Sequence, residues 1–404
     1  MGSVRFNDKK IPIKINTQAD LEVTFKETIT KNDIVYQSNM VPTKLTDPAT
    51  LPTNTGNGTA FSMDGIYMAI VHTSSPFITI YKRSGDTFTK LTNPTTLPTG
   101  VGFGCTFSVD GTYLVVMHNN SPWVTIYKRA GDVFTKLADP ATLPTGIGYS
   151  ASFSSDGTYL SVAHDITPFI TIYKRAGDVF TKLADPATLP TGIGLGCRFS
   201  LDDTYLAVAH NVSPFVTIYK RSGDVFTKLT NPVSLPAGTG RGCSFSYDGI
   251  YLAISHSGSP YLSIYKRSAD VFTKLTNVTT PPTGTGNGCR FSADGIYLAV
   301  AHTTTPFISV YKRSGDVFTK ISDPVALPSG GALGCTFSFD GVYLVVAHTV
   351  TSFVTIYKNI HEVLKSTGTI PETTLLNCDF IGYAKESGVL NQLKKIWTVL
   401  KITR

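Results

Sequence analysis

Seven of the eight histidines of this 404-residue chain are evenly spaced. They are separated by 46 residues each time, at His72, His118, His164, His210, His256, His302 and His348. The residues between them are nearly the same in every copy, without insertions. A rigid period of this length is typical of a chain that places equal supersecondary units side by side. The sequence therefore predicts seven copies of one structural unit.

Each copy divides into four short strands. In the copy around His302 the segments are GCRFS, YLAVAH, FISVYKR and DVFTKL, which are rich in β-branched and aromatic residues. Asp294-Gly295 and a Ser-Gly pair separate strands, because glycine accepts the positive φ of a tight hairpin turn. A segment rich in proline and glycine, such as 92–104, joins one copy to the next. These features predict an all-β fold, a seven-bladed β-propeller of four-stranded antiparallel blades.

The ends of the repeat region indicate how the ring closes. Before the first full copy, Thr43-Lys44-Leu45 aligns with Thr89-Lys90-Leu91 of a fourth strand. The last copy breaks off after its third strand, near Lys358. We therefore expect the segment from Ile34 onward to supply the outer strand of the last blade, which removes an open sheet edge. The propeller is expected over 34–358.

Charge and hydropathy exclude two classes of partner. The net charge is +7, but basic and acidic residues nearly cancel within one copy and no block of like charge occurs. No apolar run approaches the length of a membrane span, and no basic-then-apolar leader opens the sequence. We expect a soluble protein, made in the cytoplasm, that neither binds nucleic acid nor inserts into a membrane.

The cysteines do not predict a disulfide framework. Five occupy equivalent positions in different copies, where Thr59 and Ala151 stand in the other two, and the sixth, Cys378, lies alone near the C-terminus. Equivalent positions on separate blades are too far apart to bridge. We expect small buried thiols and folding in a reducing compartment.

Two resemblances follow from the repeat. FSADGIYLAVAH followed by ISVYKR resembles the blade of WD40-type propellers over about 34–358, although the Gly-His dipeptide is absent and Tyr-Lys stands in place of Trp-Asp. The buried hydrogen-bonded tetrad of that family is therefore not assumed. Repeats such as SPFITIYKRSGDTFTKL are similar to those of propeller proteins encoded by bacteriophages, and IGYAKESGV through KKIWTVLKI is similar to modules at the ends of phage tail and virion proteins.

No catalytic residue, metal site or cofactor is expected. Each repeated histidine ends a buried strand, and separate blades hold the imidazoles too far apart to share a metal. The repeated aspartates lie at hairpin turns, at Asp64, Asp110, Asp156, Asp202, Asp248, Asp294 and Asp340. An enzyme needs unlike groups that converge on one site, whereas near-identical blades supply like groups at seven places. The sequence therefore predicts a non-enzymatic protein.

Differences between the copies mark a candidate partner-binding rim. One position just before the first strand carries Asn57, Phe103, Tyr149, Leu195, Arg241, Asn287 and Leu333. The loop after the second strand also varies, and both regions are expected on one face, around the mouth of the channel. A third variable position, on the opposite face, carries Met63, Val109, Ser155, Leu201, Tyr247, Ala293 and Phe339. Drift at exposed positions is the alternative interpretation.

A second candidate site lies inside the channel. Residues that alternate with the packed phenylalanines of the first strands should point inward: Ala60, Thr106, Ser152, Arg198, Ser244, Arg290 and Thr336. Arg198 and Arg290 are the only charged residues of this set. With Arg241 they form a candidate anion site, and solvated channel arginines are the alternative.

One turn departs from the repeat. Asp202-Asp203 stands where the other copies have Asp-Gly. A residue other than glycine at positive φ costs roughly 1 kcal/mol. We therefore expect Asp203→Gly to raise stability slightly.

The flanks 1–33 and 359–404 alone break the sevenfold sameness. The first alternates apolar and polar residues as strands do. In the second, Leu390, Leu393, Trp397 and Leu400 fit a helical stripe, whereas Ile396, Thr398, Leu400 and Ile402 fit a strand. The resemblance to phage modules favours a β-hairpin. We expect both flanks to be attachment modules.

These observations favour a non-enzymatic binding or structural module of a bacteriophage virion. The flanks would bind other virion structural proteins, in the capsid or the tail, and the propeller would face a host surface protein or glycan. A cytoplasmic scaffold for a protein partner and a lectin-like multivalent carbohydrate binder are the alternatives. An enzyme such as a propeller lactonase ranks last.

Overall fold

The computed structural model describes residues 41–358 in full, together with the backbone of five short strands outside them. The chain forms two compact units, one of residues 39–361 and the other of residues 1–38 with 362–404. In the second unit the strands Gly2–Phe6, Lys9–Ile13 and Glu22–Val23 form one sheet, with Gly2–Phe6 in the middle. Asp379–Ile381 pairs antiparallel with Val399–Lys401. The predicted strands 34–40, the helical-stripe residues Leu390, Leu393 and Trp397, and Cys378 lie outside the described residues.

The larger unit is all β, with seven blades of four antiparallel strands, numbered here in chain order. The first strands are Gly56–Phe61, Gly102–Phe107, Gly148–Phe153, Gly194–Phe199, Gly240–Phe245, Gly286–Phe291 and Ala332–Phe337. The second strands are Tyr67–His72, Tyr113–His118, Tyr159–His164, Tyr205–His210, Tyr251–His256, Tyr297–His302 and Tyr343–His348. The prediction of a seven-bladed propeller is confirmed.

The outer half of each blade completes the sheet. The third strands are Ile78–Ser84, Val124–Ala130, Ile170–Ala176, Val216–Ser222, Leu262–Ser268, Ile308–Ser314 and Val354–Lys358. The fourth strands are Thr87–Lys90, Val133–Lys136, Val179–Lys182, Val225–Lys228, Val271–Lys274, Val317–Lys320 and, for blade seven, Thr43–Lys44.

Blade seven closes the ring as the sequence predicts. Thr43 and Lys44 pair with Lys358 and Tyr357 of its third strand. The amide of Leu45 donates to the carbonyl oxygen of Ile356 at 2.8 Å. The first and last segments of the repeat region therefore share one sheet, and the blade has its full set of four strands.

The hydrophobic core lies between neighbouring blades rather than inside any one of them. The second strands are buried on both faces, so their alternate residues pack in opposite directions. Tyr113, Val115 and Met117 of blade two pack with Phe153 of blade three, whereas Leu114 belongs to the cluster shared with blade one. A single blade cannot bury both faces, so the core exists only in the ring.

The first strands approach one another closely around the channel, which explains a repeated glycine. A Cβ atom on Gly104 would stand 2.5 Å from the carbonyl oxygen of Tyr149 in the next blade, and one on Gly58 would stand 2.9 Å from that of Phe103. At Gly58 and Gly104 such distances leave no room for a side chain. Six blades carry glycine at this position, and blade three carries Ser150.

The aspartate of the RSGD, RAGD or RSAD turn ties its blade to the preceding one. In the contact between blades one and two, the Tyr67 hydroxyl donates to Asp132 at 2.5 Å and the Lys82 ammonium group at 2.8 Å, and the Arg129 guanidinium lies 4.6 Å from the Tyr67 ring centre. Hydrogen bonds from Lys82 and Tyr67 lower the pKa of Asp132. We call this contact the blade clamp. The same clamp occurs at Asp178, Asp224, Asp270, Asp316 and, between blades seven and one, at Asp86.

The seven repeated histidines are structural, as expected. Each is fully buried, and its Nε2 lies 2.9–3.1 Å from a threonine or serine hydroxyl on the third strand of the same blade. The Nδ1 atoms of His72 and His118 also lie 2.8 Å from loop carbonyl oxygens. Burial lowers the pKa of each histidine from 6.5 to about 4. The folded ring therefore keeps all seven neutral.

The exceptional turn at Asp203 does not behave as the sequence suggests. Its φ of 56° confirms the strained conformation. The buried Asp203 carboxylate, however, accepts hydrogen bonds from the backbone amide and the hydroxyl of Ser155 in the preceding blade, at 2.6 and 2.7 Å. Glycine would relieve the strain and lose these bonds. Because bonds to a charged acceptor contribute more than the strain costs, the expectation that Asp203→Gly stabilises the protein is reversed.

The closing strand gives a first prediction. Deletion of residues 1–48 removes Thr43–Lys44 and exposes the edge of blade seven, whereas deletion of residues 1–38 removes only the part assigned to the other unit. We expect the longer deletion to lower the thermal unfolding midpoint of the propeller and the shorter one to leave it near that of the full chain. Calorimetry of the three proteins measures this. Equal midpoints for both deletions would contradict closure by this strand.

The buried histidines give a second prediction. Their pKa is about 4 in the folded chain and about 6.5 when exposed, so protonation favours the unfolded chain as the pH falls from 6.5 towards 4. Each histidine lowers the free energy of unfolding by about 1.4 kcal/mol per pH unit in this window. Urea unfolding between pH 7.5 and 4.5 should show this loss, with a slope that decreases by one proton in His302→Gln. A free energy that is constant from pH 7 to 5 would refute the assignment.

The Asp203 contact gives a third prediction. We expect Asp203→Gly to lower the free energy of unfolding by about 1–2 kcal/mol, because the lost hydrogen bonds outweigh the relieved strain. Ser155→Ala, which installs the residue found at the equivalent Ala293, serves in a double-mutant cycle. A coupling energy of about 1 kcal/mol is expected. A more stable Asp203→Gly protein would show that strain dominates.

Candidate functional site

The channel is lined by the first strands and has two ends of different composition. We call the end where these strands begin the front opening; it carries Asn57, Phe103, Tyr149, Leu195, Arg241, Asn287 and Leu333. We call the other end the rear opening; it carries Met63, Val109, Ser155, Leu201, Tyr247, Ala293 and Phe339. The loop after each second strand also lies at the front end, since His72 pairs with Gly56 at the start of the first strand. Both variable regions of the sequence therefore lie at one end.

The front opening has an aromatic side. The rings of Phe103 and Tyr149, on blades two and three, lie 5.1 Å apart at an angle of 45°. Leu195 on blade four follows them, and Arg241 on blade five is exposed. Burial and then the charge of Asp165 raise the pKa of Tyr149, so its hydroxyl stays protonated at neutral pH. This arc offers a partner an apolar surface with a cation at its edge.

Two of the seven front residues have a different role. The side-chain amide of Asn57 donates to the carbonyl oxygen of Gly102, and that of Asn287 to that of Ala332, both at 2.8 Å. Each asparagine therefore bridges to the next blade. The other five, with Asn287, line a cavity of about 160 Å³ at this end, and Asn57 is not part of its lining.

Polar residues of the variable loops are also partly engaged. Asn119 accepts a hydrogen bond from the amide of Val101 at 2.9 Å, and Asp165 accepts one from Ile147 at 2.8 Å. These side chains fix the turn that leads into the first strand. Because these polar side chains already bond to the backbone, the loops mainly determine the shape of the front opening.

The rear opening encloses a second cavity, of about 190 Å³. All seven variable rear residues line it. Six of the seven residues that the sequence directs into the channel line it as well, namely Ala60, Thr106, Arg198, Ser244, Arg290 and Thr336. Ser152 is not in this lining, and its hydroxyl oxygen accepts a hydrogen bond from the amide of Phe199 in the next blade at 3.1 Å.

Arg198 and Arg290 line both cavities and so lie between the two openings. Both are partly buried in the wall of the channel. Burial and then the neighbouring Arg290 lower the pKa of Arg198 to about 9, and burial lowers that of Arg290. Both guanidinium groups are therefore cationic at neutral pH, at a site where charge is costly.

The cysteines near the front cavity are buried free thiols. Cys105, Cys197, Cys243, Cys289 and Cys335 form no disulfide, as expected. Burial raises the pKa of the Cys289 thiol to about 11 and that of Cys105 to about 12. Thiols with such values are protonated at neutral pH and are poor nucleophiles.

Neither a metal centre nor a helix that could cross a membrane is found in the part of the chain that the structure describes. Within 41–358 and the five outer strands, no group of three or more histidine, cysteine or acidic side chains has the geometry to hold a metal ion. The repeated aspartates act in turns, where Asp64 accepts hydrogen bonds from the Ser62 hydroxyl and the Ile66 amide. No helix among these residues is long and apolar enough to cross a membrane.

Comparison with known proteins identifies the fold and no family. No family model matches the chain, and no curated protein matches it. Among solved structures, the hydrazine synthase of Kuenenia stuttgartiensis is similar, with a TM-score of 0.61 and 14% sequence identity over 78% of this chain and 99% of that one. At this identity the likeness concerns the fold alone. The resemblance of the repeats to WD40 and phage propellers stays a prediction.

Proposed function

We propose that this protein is a non-enzymatic binding module that meets its partner at the front opening of the propeller. The observation that carries the proposal is the partly exposed pair of tilted rings of Phe103 and Tyr149, beside Leu195 and the exposed Arg241. The equivalent positions in two other blades carry asparagines that bond to the neighbouring blade. Large aromatic and arginine side chains are the types that dominate binding energy at protein interfaces.

The repeated polar residues support a non-catalytic role. In the described part of the chain the histidines are neutral and bonded within their own blades, and the turn aspartates bond to the backbone and to serine. These groups are held apart by the sevenfold geometry, while acid–base or nucleophilic catalysis needs unlike groups within hydrogen-bond reach of one another.

The biological setting that we propose is a bacteriophage virion. The basis is the similarity of the repeats and of the C-terminal segment to phage-encoded proteins. In this proposal residues 1–33 and 359–404 attach the chain to other structural proteins of the capsid or tail. The propeller then presents its front opening to a surface protein or glycan of the host.

This function gives a fourth prediction, on the full-length protein. Antibodies against it should label purified virus particles in immunogold electron microscopy. The full-length protein, labelled with a fluorescent dye, should bind host cells in a saturable manner. The double change Phe103→Asn and Tyr149→Asn, which installs the residue of the equivalent Asn57 and Asn287, should weaken that binding by about tenfold or more.

A matched control changes the rear opening. Tyr247→Ala and Phe339→Ala install the residue of the equivalent Ala293 and should leave cell binding intact. Loss of binding in this control alone would place the partner at the rear. Particles without the protein would refute the virion role, and a cytoplasmic scaffold would then be the better hypothesis. Competition of cell binding by free sugars would identify the partner as a glycan.

A further inference from the structure

We propose that the middle of the channel, between Arg198 and Arg290, binds a compact oxyanion of the phosphate class. The two arginines are on blades four and six, on either side of Ser244 of blade five. The other four residues at this level are uncharged and small: Ala60, Thr106, Ser152 and Thr336. Two long cationic side chains therefore enter a space that the remaining blades leave open.

The charge of these arginines is not balanced by the surrounding protein. Neither cavity has an aspartate or glutamate among the described residues that line it. After burial, the charge of Arg290 has the largest effect on the pKa of Arg198, and it disfavours the cationic form of Arg198. Two like charges in a partly buried site destabilise each other, and a bound anion removes this cost.

Arg198 and Arg290 face the same space from blades four and six, because both line the front and the rear cavity. The charge of Arg290 also acts on Arg198. The two guanidinium groups therefore converge on one region, where a tetrahedral oxyanion can accept hydrogen bonds from both.

The space suits a small ligand. The cavities on the two sides of the arginines measure about 160 and 190 Å³, and one water occupies about 30 Å³ of liquid. An anion with its first waters can therefore enter from either end. The hydroxyls of Thr106 and Thr336 donate to backbone carbonyl oxygens at 3.4 Å, so recognition depends on the arginines.

Arginine is the residue whose geometry fits this class of ligand. Its planar guanidinium presents paired N–H donors that match the oxygens of a phosphate group, and it is charged throughout the physiological pH range. A monovalent halide cannot use paired donors in this way. Phosphate binding can be tested separately from the partner proposed for the front opening, since Arg198 and Arg290 also line the rear cavity, which contains none of the front residues.

The test uses the full-length protein with inorganic phosphate, at constant ionic strength set with chloride. Isothermal titration calorimetry should show saturable binding, and phosphate should raise the thermal unfolding midpoint. Arg198→Ser and Arg290→Thr install residues found at equivalent positions, and each should weaken phosphate binding by about tenfold or more. In chloride alone, both variants should be at least as stable as the parent, which separates lost binding from lost folding.

Arg241→Asn is the matched control, because it removes an exposed arginine at the front opening and installs the residue of the equivalent Asn57. It should bind phosphate as the parent does. Phosphoserine tested in parallel distinguishes a free ion from a phosphomonoester, and binding of either supports the site. The proposal is overturned if phosphate gives no saturable heat and no shift beyond chloride, or if Arg241→Asn weakens binding as much as the channel variants. Weakening of host-cell binding without any effect on phosphate binding concerns the front opening alone.

Discussion

The blade clamp orients the packing of neighbouring blades at six of the seven contacts in the ring, among the described residues. One aspartate in each clamp accepts from a tyrosine and a lysine of the preceding blade, while an arginine of its own blade covers that tyrosine ring. Lys82 and Asp132 are well exposed, so the ion pair by itself contributes little. The clamp instead orients the Tyr67 ring, whose centre lies 5.9 Å from that of the Phe134 ring in a nearly edge-on arrangement. The clamp at Asp86 repeats this geometry where the first blade meets the last.

A shared core explains why the copies are so alike. Each second strand packs against two neighbours through alternate residues, so consecutive positions must fit two different interfaces. The repeated glycine of the first strand faces the same restriction, since its neighbour is backbone. The residue type can differ between copies where the side chain lies outside these interfaces, in the channel or at one of its openings. The residues that differ between copies are therefore those that determine what the ring can bind.

The sequence predicts relations within one repeat better than relations between repeats. Strand positions, the glycine turns and the role of His72 follow from neighbours in the chain, and closure by Thr43–Lys44 follows from aligning the two ends of the array. Asp132 reads only as a turn residue, because its partner Tyr67 is 65 residues away on another blade. Asp203 and Asn57 are similar cases, because each looks like a local or exposed residue until the preceding or the following blade, respectively, is placed beside it. The signal for the clamp in the sequence is that an aspartate follows Ser-Gly, Ala-Gly or Ser-Ala at the same turn of six copies.

The channel shows what a closed array of equal units can do that a single blade cannot. A residue at the inner position of one blade has no partner there, but the ring brings seven such positions around one axis. A copy that carries a large side chain at this position therefore changes the whole channel. Arg198 and Arg290 share a space whose other inner positions carry small side chains. A carboxylate at any of the other five positions would balance their charge, yet those positions carry alanine, serine or threonine. The ring therefore concentrates positive charge at its centre while its outer surface carries paired lysines and aspartates, and the two regions differ in electrostatic character although they are built from the same repeat.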